Sequence, residues 1–221
     1  MIHRKDGLVT EKYYHICSKS IAGYIIFNQD DEYRRILALI RYYQIKDIPT
    51  KFSSFIEGID IKDFNKKFVS FYDGKEKLVK IIAFCFMPTH IHLVLQQKID
   101  GGISRFMSNI LNSYARYFNV AHKRKGPLWQ GRFKSILVKR DSQLLHLSRY
   151  VHLNPASESM VDNPEQWPYS SYQEYLGVST NNLISEHNDV LNISPGDYRR
   201  FVENRIAYQR ELSEIKHLIL E

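Results

Sequence analysis

The chain has 221 residues, of which 43% are hydrophobic and 25% are charged, and this is an ordinary globular composition. Its length suits one domain with appendages, or one and a half domains. No apolar run approaches the length of a membrane span, and the first thirty residues lack the apolar segment of a signal peptide. We therefore expect a soluble, cytoplasmic protein without a membrane partner.

The charge balance of the chain is basic. The net charge is +7 and the isoelectric point is near 9.2. A basic protein favours an anionic partner, although many basic proteins never touch nucleic acid. The two cysteines, Cys17 and Cys85, lie in predicted strands and lack the spacing of a metal site. Free thiols in a reducing cytoplasm are the simplest interpretation.

The first third of the chain predicts a strand, a helix and an irregular segment. Residues 12–27 are typical of a strand that a glycine interrupts. Apolar residues at three- and four-residue steps predict a helix over about 31–44, with Asp30 and Asp31 as the N-cap. Residues 45–78 contain proline and glycine and no firm period, so we expect a loop with one or two short helices.

Two apolar runs, 79–86 and 90–97, predict an antiparallel hairpin around Pro88, which has no N–H and suits the turn. Side chains alternate along a strand, so His90 and His92 share one face at a spacing of about 7 Å. Two imidazoles in this arrangement can converge on one metal ion or phosphate. The ordinary alternative is a pair of half-buried histidines bonded to their neighbours.

The rest of the chain predicts two helices, a strand and a C-terminal helix. An apolar stripe indicates a helix from Ile103 to about His122. A strand at about 133–139 follows. The next helix is expected to begin at an Asp141 or Ser142 cap, and to run from Gln143 to about Asn154, where Pro155 stops it. An amphipathic helix covers about 196–220.

The order of elements is β-α-β-β-α-β, then a helix. This order predicts an α+β fold: a ferredoxin-like (split βαβ) antiparallel sheet with helices packed on one face. We place the main domain at 1–176, with an insert at about 45–78. Residues 177–221 are expected to form a C-terminal helical appendage.

The helix that precedes Pro155 carries a candidate nucleophile. A spacing of four residues places His146, Tyr150 and Asn154 along one flank. The two histidines and Asn154 Oδ1 could hold a divalent ion that polarises a phosphate oxygen, while the Tyr150 oxygen attacks phosphorus. Tyrosine has an ordinary pKa of about 10, so it needs a nearby cation or base. The alternative is that Tyr150 is a structural tyrosine.

Residues 122–134 form a basic segment that has no acidic residue and includes aromatic rings. Basic side chains neutralise phosphates, and an exposed ring stacks on an unpaired base. The segment's candidate DNA-binding residues are Lys123, Arg124, Lys125, Trp129, Gln130, Arg132 and Lys134. The alternative is a solvated helix end followed by a strand whose rings belong to the core.

Four stretches of the sequence together resemble the Y1 (single-tyrosine) HUH transposase family of the IS200/IS605 type. Within that family they are similar to the REP-associated tyrosine transposase branch. They cover roughly residues 10–176 in the family's order and read FMPTHIHL (86–93), LWQGRFKS (128–135), RYVHLNPA (149–156) and WPYSSY (167–172). Thr89 stands where many relatives have asparagine, and we expect this to change only the turn.

The resemblance implies an enzyme that cleaves and rejoins single-stranded DNA at hairpin-flanked sites. It implies that His90, His92 and Asn154 bind the metal, and that Tyr150 forms a 5′-phosphotyrosine link and releases a 3′-OH. The implied cofactor is Mg²⁺ or Mn²⁺, although imidazole ligands alone favour Mn²⁺ or even Zn²⁺. The implied partner is single-stranded DNA that carries a hairpin, and the implied location is the nucleoid. The protein could act as a monomer or as a homodimer that exchanges the tyrosine helix.

Two other classes of function stay open. A domesticated protein could bind hairpin DNA or RNA without strand transfer. A histidine-based RNA phosphoesterase would need two paired histidine motifs, and the positions of His15 and His152 do not suggest such a pair.

Overall fold

The computed structural model describes residues 7–72, 74–179 and 184–211. At the centre of this part of the chain lies an antiparallel sheet with the strand order β2-β3-β1-β4. The predicted hairpin and the α+β class are confirmed. The strands are β1 (Tyr13–Lys19), β2 (Val79–Met87), β3 (His90–Gln97) and β4 (Lys134–Val138).

Helices separate and follow the strands. The irregular segment 45–78 contains two short helices, as expected, and 3₁₀ turns occur at Ile21–Gly23, Ile61–Asp63 and Pro164–Gln166. No helix among the described residues has both the length and the apolar character that a membrane crossing requires. The helices are α1 (Asp30–Tyr43), α2 (Phe52–Phe55), α3 (Phe64–Tyr72), α4 (Gly102–Ala121), α5 (Asp141–Ser157), α6 (Tyr172–Tyr175) and α7 (Pro195–Glu203).

Helices α1 and α5 begin at Asp30 and Asp141, so the N-cap of each is the preceding residue and the predicted aspartate caps are corrected. In α1 the Glu32 carboxylate accepts the backbone N–H groups of Asn28 and Gln29, and Gln29 is the N-cap. In α5 the Gln143 side-chain oxygen accepts hydrogen bonds from the backbone N–H groups of the two residues before the helix, and Arg140 is the N-cap. Asp30 and Asp31 therefore lie in the first turn of α1, where negative charge favours the helix dipole.

One face of the sheet is apolar and packs against α1 and α4. Ile16, Phe86 and Leu93 point to this face and are fully buried. The predicted stripe of α4 is buried from Ile103 to Phe118, whereas Tyr117, which was expected on the core face, is only partly buried. Helices α1 and α4 thus form the layer that the element order predicted.

Helix α5 lies on the opposite face, so the expectation that the helices share one face holds for α1 and α4 but not for α5. Val94, Cys85 and Met87 form a second apolar cluster with Leu144 and Val151 of α5. Strand β3 is buried at every position. A strand that is buried on both faces needs a covering layer on each side, which α5 supplies.

Pro155 does not stop α5, which continues to Ser157, so the predicted end of this helix is wrong. A proline at position 155 lacks the N–H that would donate to the Val151 carbonyl. The Asn154 side chain compensates, because its Nδ2 donates to the carbonyl oxygens of Tyr150 at 2.9 Å and Val151 at 3.3 Å.

A buried polar network joins α7 to α5. His152 is fully buried, with Nδ1 2.7 Å from the Tyr198 hydroxyl and Nε2 2.8 Å from Ser171 Oγ. The Tyr198 hydroxyl also donates to Ser148 Oγ at 2.9 Å. Helix α7 ends at Glu203, helical structure resumes over 206–211 after a turn, and residues 212–220 of the predicted helix lie outside the described residues. The division of the chain at 176/177 stays a prediction.

Candidate active site

The fold brings the two histidines of β3 and the tyrosine of α5 together within one chain. His90 and His92 point to the face that α5 covers, and their ring centroids are 5.0 Å apart. The Tyr150 ring lies edge-on to His92 at 5.8 Å between centroids. The strand period and the helix position together therefore produce one polar cluster on this face.

A third imidazole, His15, belongs to the same cluster, and sequence reasoning missed it. His15 Nε2 lies 2.9 Å from His92 Nδ1, and the two rings are stacked. The His15 ring also meets Tyr150 edge-on at 5.9 Å. Because side chains alternate along a strand, His15 lies on the same face of β1 as Cys17. Placing His15 beside His92 requires the pairing of β1 with β3, which the sequence does not reveal.

Burial keeps these imidazoles neutral. Burial, followed by the charge of Lys19, lowers the pKa of His90 to about 4. Burial, the neighbouring imidazoles and Lys19 lower the pKa of His92 well below its ordinary value, and burial also lowers the pKa of His15. The neutral imidazole is the form that binds metal ions, so the cluster is already in a ligand form at pH 7.

The Nδ1 atoms of both β3 histidines have partners. Thr89 Oγ1 lies 3.0 Å from His90 Nδ1, and His15 occupies Nδ1 of His92. Such contacts fix the orientation of a ligating ring and leave Nε2 for the ligand. The Thr89 hydroxyl therefore contacts the site, which corrects the expectation that this residue changes only the turn.

Two candidate oxygen donors lie at and just after the C-terminal end of α5. The Asn154 amide nitrogen bonds to backbone carbonyls, so its Oδ1 is the atom left for a ligand. One turn later, Glu158 Oε1 lies 3.8 Å from His90 Nε2, and this carboxylate was also missed. The amide and carboxylate oxygens suit Mg²⁺ or Mn²⁺, whereas the imidazole nitrogens favour Mn²⁺ over Mg²⁺. In the described part of the chain, however, no three His, Cys, Asp or Glu side chains already have the arrangement of a metal centre.

Tyr150 is the accessible member of the cluster, with 39% of its surface exposed. Burial raises its pKa, and the negative charges that Cys17 and Glu158 carry when they are ionised raise it further. The phenol is therefore protonated at neutral pH. It can act as a nucleophile only when a cation or a base assists its ionisation.

The predicted DNA-binding residues of the basic segment divide into two groups. Trp129 and Arg124 serve the structure: the Trp129 indole packs against the core and donates to the Leu111 carbonyl, and the Arg124 guanidinium donates to the Pro127 carbonyl. The other group is exposed and consists of Lys123, Lys125, Gln130, Arg132 and Lys134. DNA binding by both groups stays a prediction.

Comparison with known proteins confirms the resemblance that the motifs suggested. The family model described as "Transposase IS200 like" (Y1_Tnp) matches residues 53–154, which contain both histidines of β3, Tyr150 and Asn154. The match begins inside the segment 45–78 that lay outside the strongest resemblance. The chain is thus similar to the Y1 transposases.

The more particular resemblance, to the REP-associated tyrosine transposases, is also confirmed. A Haemophilus influenzae protein of this description is 31% identical over 101 residues, which cover 41% of this chain and 57% of the relative. The chain thus matches little more than half of that relative's length. A solved REP-associated tyrosine transposase bound to a REP hairpin has a TM-score of 0.56 and 15% identity, covering 85% of this chain and 93% of its own. At that identity the likeness concerns the fold.

Proposed function

We propose that the protein is a metal-dependent transposase that cleaves and rejoins single-stranded DNA through a 5′-phosphotyrosine intermediate on Tyr150. The observation that carries the proposal is the position of the Tyr150 ring, 5.8 Å from His92 in the same chain. An accessible phenol beside buried, neutral imidazoles has the parts that a tyrosine nucleophile and a metal-assisted site require. The family match over 53–154 supports the same chemistry.

In the cleavage step, Tyr150 Oη forms a bond to a backbone phosphorus and the bond from phosphorus to the 3′-oxygen breaks. The phenol proton is lost and the leaving 3′-oxygen gains a proton, so the products are a 5′-phosphotyrosine and a free 3′-OH. Attack by a 3′-OH on the phosphotyrosine reverses these changes and rejoins a strand. The reaction needs no external energy source, because one phosphodiester is exchanged for another.

The proposed ligands of Mg²⁺ or Mn²⁺ are Nε2 of His90, Nε2 of His92 and Oδ1 of Asn154. When bound, the ion supplies Lewis-acid polarisation of the phosphate and favours the ionised phenol. His15 and Thr89 orient the two imidazoles through the contacts at Nδ1. We further propose that the substrate strand carries a hairpin, because the structural relative is a REP-associated tyrosine transposase bound to a REP hairpin. Location at the nucleoid stays a prediction.

The test is covalent capture of DNA. The protein is incubated with single-stranded hairpin oligonucleotides from the flanks of its own gene, with Mg²⁺ or Mn²⁺, and resolved on a denaturing gel. We expect a protein–DNA adduct with the wild type and none with Tyr150→Phe. Tyr208→Phe is the matched control, because Tyr208 is also an exposed tyrosine and lies on another part of the chain.

Three outcomes decide the proposal. An adduct that requires metal and Tyr150 supports it. An adduct that persists in Tyr150→Phe contradicts the assigned nucleophile. Hairpin binding that is unaffected by a chelator and by Tyr150→Phe, with no adduct from any flank, instead indicates a binding protein without strand transfer.

A further inference from the structure

A second group of basic residues lies between α1, α4 and the residues that begin α2, on the outer side of the helix layer. These residues line a cavity of about 510 Å³. Among the described residues that line it are three cations, Arg35, Lys51 and Arg116, and no carboxylate. Amide and hydroxyl groups of α4, including Asn112 and Ser113, also line the cavity.

The Arg35 side chain is only partly satisfied. Its guanidinium lies over the rings of Phe52 and Tyr117, at 4.7 and 4.8 Å from their centroids. Its Nε is buried and has no hydrogen-bond partner among the described residues. Burial lowers the pKa of Arg35, because the surrounding groups do not fully replace the water that would stabilise the charged guanidinium. A buried donor in this condition needs an explanation, and an anionic ligand is one that fits its charge.

The cations of the cavity are not neutralised by carboxylates. None of the ion pairs in the described ranges involves Arg35, Lys51 or Arg116. The basic segment follows the cavity along the chain, because α4 lines the cavity as far as Ala121 and the exposed Lys123 and Lys125 come shortly after it. The result is an extended positive surface.

The length of this surface indicates the class of ligand. Between Asn109 and Ala121, α4 rises by about 18 Å, and both residues line the cavity. This length matches about five nucleotide steps at about 3.4 Å each in a duplex strand. A free phosphate or a mononucleotide occupies only a small part of it. A polyanionic strand can meet the cations one after another.

We propose that this cavity and the turn containing Lys123 and Lys125 bind backbone phosphates of nucleic acid, on the side of the sheet opposite Tyr150. The inference rests on the proposed function for the identity of the polyanion. It assigns a role to the start of the 45–78 segment, since Lys51 and Phe52 close one side of the cavity. A hairpin-bearing strand would then contact both sides of the sheet layer.

The test measures DNA binding without cleavage. A fluorescent hairpin oligonucleotide with a single-stranded flank is titrated with the full chain in the presence of a chelator, at several salt concentrations. The variant Lys51→Gln/Arg116→Gln removes two exposed cations of the cavity. The control Lys62→Gln/Arg200→Gln removes one lysine and one arginine that are exposed and do not line it. The net charge is therefore the same in both.

We expect the cavity variant to bind more weakly than the control on every hairpin sequence. The slope of log affinity against log salt should fall by about one for each phosphate contact that is lost, hence by about two. Equal affinity and slope in variant and control overturn the inference and leave the proposed function intact. Displacement of the hairpin by millimolar inorganic phosphate or dAMP at constant ionic strength overturns it too, since the cavity then takes a free anion. A wild type that binds no hairpin overturns the proposed function.

Discussion

The two faces of the sheet come from the same strands but carry opposite chemistry. On β3, Leu93 is buried in the apolar cluster under α1 and α4, and the preceding residue, His92, contacts His15 and Tyr150 on the face of α5. One face is a continuous apolar layer. The other combines apolar contacts with buried imidazoles, hydroxyls and an amide.

This difference indicates a division between stability and chemistry. Apolar burial stabilises by about 25 cal/mol for each Å² removed from water, so the α1/α4 face should dominate the free energy of unfolding. Buried histidines on the α5 face must stay neutral and hydrogen-bonded. That face can therefore hold reactive groups only because the other face stabilises the sheet.

The largest expected effect is on the apolar face. Leu93→Ala should lower the free energy of unfolding by about 2–5 kcal/mol, because it leaves a cavity in a fully buried layer. Urea denaturation followed by circular dichroism measures this. His92→Ala, one residue earlier, should lower it by less and should abolish DNA-adduct formation. Equal losses of stability in both variants would contradict the division between the faces.

The next effect concerns the polar network beneath α7. Tyr198→Phe removes the hydroxyl that joins His152 to Ser148. It should lower the free energy of unfolding by about 1–3 kcal/mol, because buried polar groups lose their partner. Tyr208→Phe, an exposed substitution of the same kind, is the control for the urea experiment. If both variants match the wild type, the network does not stabilise the α5 face.

Acid should destabilise the α5 face through its histidines. Burial and His187 lower the pKa of His152 to about 3, below the unfolded value of about 6.5. The unfolded chain therefore binds the proton first, so this contribution to stability is complete above about pH 6.5 and is lost as the pH falls towards 3. The slope should reach about 1.4 kcal/mol per pH unit for His152. Urea midpoints from pH 7 to 4 test this, and a His152→Gln variant with an unchanged slope would contradict it.

The smallest effect is electrostatic. The Glu158 carboxylate is one of the causes that raise the pKa of Tyr150, so Glu158→Gln should lower that pKa in the metal-free protein. Carbon-13 labelling of tyrosine, with Tyr150→Phe to assign the signal, measures it by NMR titration. Glu57→Gln, an exposed substitution with the same change in charge, should leave the pKa unchanged. A Tyr150 pKa that is equal in all three proteins would show that Glu158 does not act on the phenol.

The sequence by itself determined the local faces. Alternation along β3 placed His90 and His92 on one side, and a four-residue step placed Tyr150 and Asn154 along one flank of α5. The hairpin, the stripe of α4 and the short helices of 45–78 were also predictable. These features depend on the fixed periods of strand and helix, which any short stretch of chain expresses.

Only the tertiary structure decided which faces meet. The strand order places His15 beside His92, although 77 residues separate them. The passage of α5 across the second face turns Tyr150 towards the histidines, and the Asn154 side chain lets the helix continue through Pro155. The outer cavity likewise joins α1, α2 and α4. Such contacts depend on the three-dimensional packing of distant segments, which no local period encodes.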